Sequence, residues 1–461
     1  MFDLAIMNGT VIDPLHMRLI PANVYIKGGT IAEISRVEHP AIKVIDAKGK
    51  YISPGFIDIH THSDSNDLVG KMLAMQGVTT SVGGNCGYGQ SNISDFFNKT
   101  ERNGYILNQT MLAGATELRE RAGLFDALSP MTEAQICFAE KALEADLEAG
   151  ACGLSFGLGY MVGSSKEEIT RLARVAARYG KPVAIHTRAI GGGWGVLGGI
   201  VEVIDLARQT GASVHISHVV YEFGYDMMAQ ALEIIDDAVN EGLDISCDSG
   251  MYTSFATFIG TEVFDEDALS GMNCTFGDIF MASGKYAGQQ LNHELYLNVR
   301  ENHPNDVANA MIGNPHEIPI AFDLPYMMCS SDAGVSALAG VSFAVHPQDA
   351  ATFPLFICES VVNTGQLTLA DAISRITYLP AQRMGLKGKG RLIPNADADI
   401  TIFDLEKLQP RANFPHLGKP DAPPEGIDVV IVNGKIAVRN KEIVCKDAGK
   451  VLRAPNIEWK L

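Results

Sequence analysis

His60 and His62 stand one residue apart at the end of an apolar run, Phe56-Ile57-Asp58-Ile59. Side chains two apart on a strand point to the same face. If the run is a strand, both imidazoles aim at one point just beyond its end. Neutral imidazole is the commonest metal ligand among side chains, so the pair is a candidate metal site. Residues of matching chemistry recur where later apolar runs stop. Cys86 follows 79–82, His186 ends 182–186, His218 follows 213–217 and Asp332 follows 326–330. Thiolate, imidazole and carboxylate are donors for zinc or a similar borderline ion. Singly, each has an ordinary structural reading as a core cysteine, an interior histidine or a helix cap. Together, at successive strand ends, they point to one metal centre. His215 lies three residues before His218, so one of the two must face away. His218, nearer the strand end, is expected to be the ligand and His215 to be structural.

Such a site needs a scaffold that gathers strand ends. Candidate strands at 56–60, 79–82, 110–113, 153–156, 182–186, 213–217, 244–247 and 326–330 alternate with amphipathic stretches. Residues 133–149, 166–179, 200–209 and 226–240 place apolar side chains at i, i+3 and i+4, the helical period. Alternation of strand and helix implies parallel strands with helical crossovers. Eight strands are the number of a (β/α)8 TIM-type barrel, whose active site lies at the strands' C-terminal ends. The expected α/β architecture is a barrel over 55–384 with a small β-sandwich domain built from both termini, 1–54 plus 385–461. Hairpins are expected at Asn8-Gly9, Gly28-Gly29 and Asn433-Gly434. The long connection 253–324 is expected to be an inserted subdomain or lid.

Composition narrows the function. The 461 residues carry a formal charge of −18 and are 46% hydrophobic. A large core follows, and nucleic acid, which needs a basic surface, is excluded as a partner. No signal peptide and no apolar run long enough to span a bilayer are seen. Eight cysteines without CxxC pairs suit a reduced, cytoplasmic protein. A homo-oligomer is left open.

Taken together, these residues resemble the amidohydrolase superfamily, and within it the D-aminoacylase (N-acyl-D-amino-acid deacylase) branch. The carriers at superfamily level are Ser53-Pro54-Gly55-Phe56-Ile57-Asp58-Ile59-His60-Thr61-His62 and Ala396-Asp397-Ala398-Asp399-Ile400. At branch level they are Gly84-Asn85-Cys86-Gly87, Gly150-Ala151-Cys152-Gly153-Leu154-Ser155 with Gly157-Leu158-Gly159-Tyr160, His186-Thr187-Arg188, Ile216-Ser217-His218 and Ser331-Asp332. The resemblance implies that His60 and His62 hold the more exposed metal, that Cys86 bridges, and that His186 and His218 hold the other. Asp332 would be the general base. Sites of this kind hold one tightly bound Zn2+ or add a second divalent ion, and the sequence does not choose. The activity implied is metal-dependent hydrolysis of a non-peptide amide in a small-molecule substrate. The metal would activate water and polarise the carbonyl, with Asp332 moving the proton.

The surrounding residues depart from the branch. Its members resemble one another in a basic pair that holds the substrate's α-carboxylate, and here those places carry Val220 and Gln348. The Asp-x-Tyr-Pro-Tyr that follows strand seven appears as Asp248-Ser249-Gly250-Met251-Tyr252. The acidic residue after His-x-Arg is replaced by Ala189-Ile190-Gly191-Gly192-Gly193. Each lost charge-assisted bond removes about 1.5–3 kcal/mol, unless Arg188 or another cation substitutes. The expected substrate shell is Arg188, Tyr160, Tyr252, Val220 and Gln348, with Gly191–Gly193 and Trp194 as a candidate aromatic flap. A neutral or cyclic amide (lactam, imide, hydantoin or dihydroorotate type) fits such a shell. A catalytically dead, dihydroorotase-like assembly subunit is the non-enzymatic alternative, opposed by the intact set of ligands.

Overall fold

The computed structural model describes residues 1–188, 197–272, 274–338 and 340–454. At its centre eight strands pair in parallel, in chain order: Phe56–Asp58, Val78–Gly83, Asn108–Gly114, Gly153–Gly157, Val183–His186, Val214–Ile216, Ile245–Ser249 and Met327–Cys329. Every residue in them is buried, as expected for strands covered on both faces. The first and last strands share no ladder. An isolated parallel bridge, Thr61 to Ala333, joins their extensions. There the Asp332 amide donates to His60 O at 3.0 Å and the His62 amide to Ala333 O at 2.6 Å. The barrel is therefore nearly closed, and its seam lies at the end that carries the two histidines.

The crossover helices follow the amphipathic pattern. Glu133–Glu148 starts with a capping box between Thr132 and Gln135, and Lys166–Arg178 is capped by Ser165. Gly198–Thr210 stops at Gly211, whose φ of 65° suits a residue without Cβ. Met228–Asn240 completes the set.

Both termini build one nine-stranded, mostly antiparallel sheet. Tyr51–Pro54 joins its halves, running parallel to Phe2–Asp13 and antiparallel to Ile400–Phe403. Ile6, Val24, Ile52, Ile402 and Ile431 form its own core. The Gly28-Gly29 and Asn433-Gly434 turns appear where expected, between paired strands. Asn8-Gly9 does not make a turn. Phe2–Asp13 runs straight through it with a register shift between Ile6 and Gly9, so the pair is a bulge. Asn8 takes a φ of 63°, and its amide is held by the Asn23 side chain at 2.9 Å. A Cβ on Gly9 would stand 2.5 Å from Ile52 Cδ1, which accounts for the glycine by packing.

The long connection folds on itself. Ser254–Phe258, Ile279–Met281 and Val307–Met311 form a three-stranded antiparallel sheet with a core around Phe264, Ile279 and Tyr296. Among the described residues, no helix is long and apolar enough to cross a membrane.

Candidate active site

The barrel's C-terminal end brings together all six residues expected to make the metal centre. Cys86 Sγ lies 3.3 Å from His60 Nε2, 3.4 Å from His218 Nε2 and 3.9 Å from His186 Nδ1. His186 Nδ1 and His218 Nε2 are 2.9 Å apart. On the other side of His60, Asp332 Oδ1 is 3.5 Å from His60 Nε2 and 3.3 Å from His62 Nε2. The thiol sits in the middle, fully flanked. His62 and Asp332 are the more exposed members, at 11% and 20% of the side chain, while His60 is wholly buried.

Three of the six hold backbone conformations that side-chain-bearing residues seldom adopt. Cys86, His218 and Asp332 have φ of 54°, 32° and 55°, and such strain clusters at functional sites. Local contacts impose it. The turn carrying Cys86 packs on the fourth strand, where Ser155 Oγ donates to Gly84 O and accepts from the Gly87 amide at 3.1 Å. A Cβ on Gly157 would lie 2.1 Å from Cys86 O, so only glycine lets the turn sit this close. His218 begins the short helix Val219–Phe223, and its amide is held by Asp248 Oδ1 at 3.0 Å.

Charge in the cluster is tightly balanced. Burial pushes the Cys86 thiol up, but His60, His218 and His186 outweigh it and hold the thiol well below its usual range. Burial likewise disfavours charge on the rings. Cys86 and Asp248 nevertheless hold His60 well above its ordinary value. His62 is raised to about 10, where bonds to Asp332 and Cys86 overcome burial, and His218 to about 9, chiefly through Cys86. Asp332 is lowered despite burial, by His62, His60 and His218. Ring protons thus neutralise a thiolate and several carboxylates, and a dication can take their place.

The donor set fits such an ion. Ligand atoms about 2.0–2.3 Å from one tetrahedral zinc stand roughly 3.3–3.7 Å apart, which matches the 3.3 and 3.4 Å from Cys86 Sγ to His60 and His218, with His186 slightly farther at 3.9 Å. Donor atoms of His60, Cys86 and His218 all lie within 4.8 Å of one another, as do those of His60, His62 and Asp332.

Comparison with known proteins agrees with the geometry. The amidohydrolase family model matches residues 43–272. An N-acyl-D-glutamate deacylase of Alcaligenes xylosoxydans xylosoxydans is 30% identical, over 94% of this chain and 93% of that one. This chain belongs to the amidohydrolase family. It is a metal-dependent hydrolase of carbon–nitrogen bonds other than peptide bonds. Among solved amidohydrolases, the N-acyl-D-glutamate deacylase of Bordetella bronchiseptica superposes with a TM-score of 0.86 at 27% identity, over 98% of this chain and 100% of that one. That structure holds zinc and a phosphonate inhibitor mimicking the tetrahedral intermediate. A D-aminoacylase with a binuclear metal centre, described by one-metal activation and second-metal attenuation, matches at 25% identity with the same TM-score and coverage.

In this amidohydrolase the expected substrate shell is only partly at the mouth. Tyr160, 44% exposed, lays its ring 4.5 Å from that of His186 and 5.5 Å from Tyr88. Tyr252 packs edge-on to His346 and Phe414. Val220 is buried in the helix after His218. Arg188 does not stand as a spare cation. Its guanidinium is matched by Glu202 at 2.8 Å and donates to Val162 O and Ser164 O at 2.7 and 2.6 Å. Gln348 is buried and bonds protein atoms at both ends of its amide. The candidate flap, Gly191–Gly193 and Trp194, lies outside the described residues.

Sequence reasoning missed the carboxylates behind the clustered donors. Asp248 Oδ2 accepts from His215 Nε2 at 2.8 Å and faces His60 Nδ1 at 3.5 Å. Its position at the end of the seventh strand was the available signal. His215, bonded to Asp248 and Ser246, is structural as expected. Glu222 Oε1 lies 3.8 Å from His186 Nδ1 and 3.7 Å from His218 Nδ1, and the carboxylate accepts from the Thr187 amide and hydroxyl. Its place four residues after His218 on a helix signalled that neighbourhood. Asp58, raised to about 7 by burial, accepts from the Ser331 amide and hydroxyl and ties the barrel seam.

Proposed function

We propose that the chain hydrolyses a D-aminoacylase-type N-acyl amide that lacks a negative charge where the branch's basic pair, here the buried Val220 and Gln348, would hold a carboxylate. The observation that carries this reading is the convergence of Cys86, His60, His62, His186, His218 and Asp332 at one barrel end. His186, His218 and Cys86 would hold one tight zinc, with His60 and His62 offering a more exposed second position beside the same thiolate. Bound there, such an ion would supply polarisation of the amide carbonyl and acidification of water. Asp332, ionised and 3.3 Å from His62, is placed to take the proton of the attacking water and deliver it to the departing nitrogen. Tyr160 and Tyr252 offer aromatic surface to the uncharged part of the substrate, while Arg188 is already paired with Glu202. A reducing compartment such as the cytoplasm suits a site built on a free thiolate.

The same absence of a cation at positions 220 and 348 favours a second reading, a cyclic amide, which presents no carboxylate. Both are tested by assaying N-acetyl-D-methionine, N-acetyl-D-methioninamide and hydantoin side by side, with Asp332→Asn as the blank. The neutral compounds are expected to be preferred at least ~10-fold in kcat/KM. A kcat/KM near ~10⁴ M⁻¹s⁻¹ or above for N-acetyl-D-methionine, exceeding that for the amide, would overturn the substrate reading.

A further inference from the structure

The Asp332 backbone is gripped from a direction that the metal ligands do not supply. Asp332 has a φ of 55°, which an L-residue keeps only when its surroundings insist. Its amide donates to His60 O, and its carbonyl accepts from Gln348 Nε2 at 2.7 Å. Gln348 Oε1 in turn accepts from Tyr221 Oη at 3.0 Å. Tyr221 lies one turn into the helix begun by His218, its amide bonded to His218 O at 3.0 Å and its ring 5.5 Å from the imidazole. An unbroken chain thus runs from His218 through Tyr221 and Gln348 to Asp332, outside the circle of donor atoms. The helix Gln348–Ile357 reinforces it. Asp349 Oδ1 accepts from the Gly334 amide at 3.3 Å, so consecutive residues hold both sides of the Asp332-Ala333-Gly334 turn. Gln348 is itself fixed, its amide donating to His346 Nδ1 at 3.1 Å.

We propose that Tyr221 and Gln348 are positioning residues that set the Asp332 base, and that Gln348 does not contact substrate. Gln348 is 2% exposed, and both ends of its side-chain amide are occupied by protein. The inference rests on Asp332 acting as the base, and it requires no particular substrate. A base displaced by about 1 Å can cost on the order of 100-fold in rate, and the loss falls on kcat when substrate binding is untouched.

The test uses Gln348→Met, which keeps the bulk and removes both bonds, with Tyr221→Phe and the double variant. Kinetics are measured on whichever of N-acetyl-D-methionine, N-acetyl-D-methioninamide and hydantoin the wild type turns over fastest, and bound zinc and a crystal structure are obtained for each variant. Gln348→Met is expected to lower kcat ~10–100-fold, with KM within about twofold and zinc unchanged. Tyr221→Phe should lower kcat less, and add nothing in the Gln348→Met background. In the Gln348→Met crystal, Asp332 should leave its left-handed conformation or part from His62. A rise in KM with kcat preserved would instead make Gln348 a substrate contact and overturn the proposal. So would full additivity of the two substitutions, or an unmoved Asp332. If the wild type cleaves none of the three compounds, the substrate reading falls, and the position of Asp332 in the variant crystals alone decides this inference. Should Gln348→Met fail to fold, Tyr221→Phe, which loses one hydroxyl, carries the same comparison.

Discussion

Cys86 owes its chemistry to its neighbours rather than to its own reactivity. A lone buried thiol would stay protonated, whereas three imidazoles within 3.9 Å make it a thiolate. Those imidazoles depend in turn on carboxylates behind them. Asp248 bonds His215, the His218 amide and Ser330, and faces His60. Outer partners of this kind orient ligand rings and raise their basicity. Asp248→Asn keeps the shape but removes the charge that favours a donor on His60 Nδ1. It should weaken zinc binding ~10–100-fold, measured by competition with a chelating indicator, while activity per bound zinc changes far less. Unchanged affinity would mean that Asp248 serves only the fold. The clustering of these donors was readable because their types are rare and each sits where an apolar run stops. Asp248 and Glu222 were not, because carboxylates are common and their meaning depends on which ring they face.

At the scale of elements, strand and helix periods were legible because burial on both faces gives uninterrupted apolar strands and one-sided burial gives helical stripes. Asn8-Gly9 was misread for a physical reason. The same backbone conformation serves a turn and a bulge, and only the partner strand decides between them. Nor could the pairing of Gln348 with Tyr221, 127 residues away, be read from either local sequence. His346 illustrates how the inserted sheet is tied to this region. It accepts from the Gln348 amide at Nδ1 and meets Ser254 Oγ at 2.8 Å through Nε2, so it is neutral with its proton on Nε2. Burial lowers it to about 3, against about 6.5 in an unfolded chain. Between these values the unfolded state binds one more proton, so His346 makes stability rise with pH from about 3 to 6.5 and decline on acidification below 6.5. His346→Gln should remove that pH dependence. The Tm advantage of wild type over the variant is expected to shrink between pH 6.5 and 4.5. An advantage that stayed constant or grew would contradict the neutral buried assignment.

For the whole molecule, the Ala396-Asp397-Ala398-Asp399 motif acquires a structural meaning. Asp399 accepts from Lys389 Nζ at 2.5 Å, from Asn108 Nδ2 at 2.9 Å and from the Asn433 amide at 2.7 Å. Asn108 lies on the third barrel strand and Asn433 in a hairpin turn of the terminal sheet, so one carboxylate clamps barrel to sheet. Lys389 is 4% exposed and held above its ordinary value, Asp399 and Asp397 outweighing burial. Asp399→Ala leaves much of that buried charge uncompensated, and should cost about 3–5 kcal/mol, read as a lower Tm with the zinc-to-protein ratio of the folded fraction unchanged. A variant as stable as wild type would show that the clamp is dispensable.

The strand Tyr51–Pro54 lies between Phe2–Asp13 and Ile400–Phe403, and the Gly55 amide leading into the first barrel strand donates to Asp399 O at 2.8 Å. On the ribosome, the early half of this sheet emerges long before its partner. At about 5–20 residues per second, the nascent chain waits on the order of tens of seconds with that strand edge unpaired. The terminal sheet closes only once residues 400–443 have emerged, and until then the first histidine pair hangs from a barrel strand that lacks its anchor.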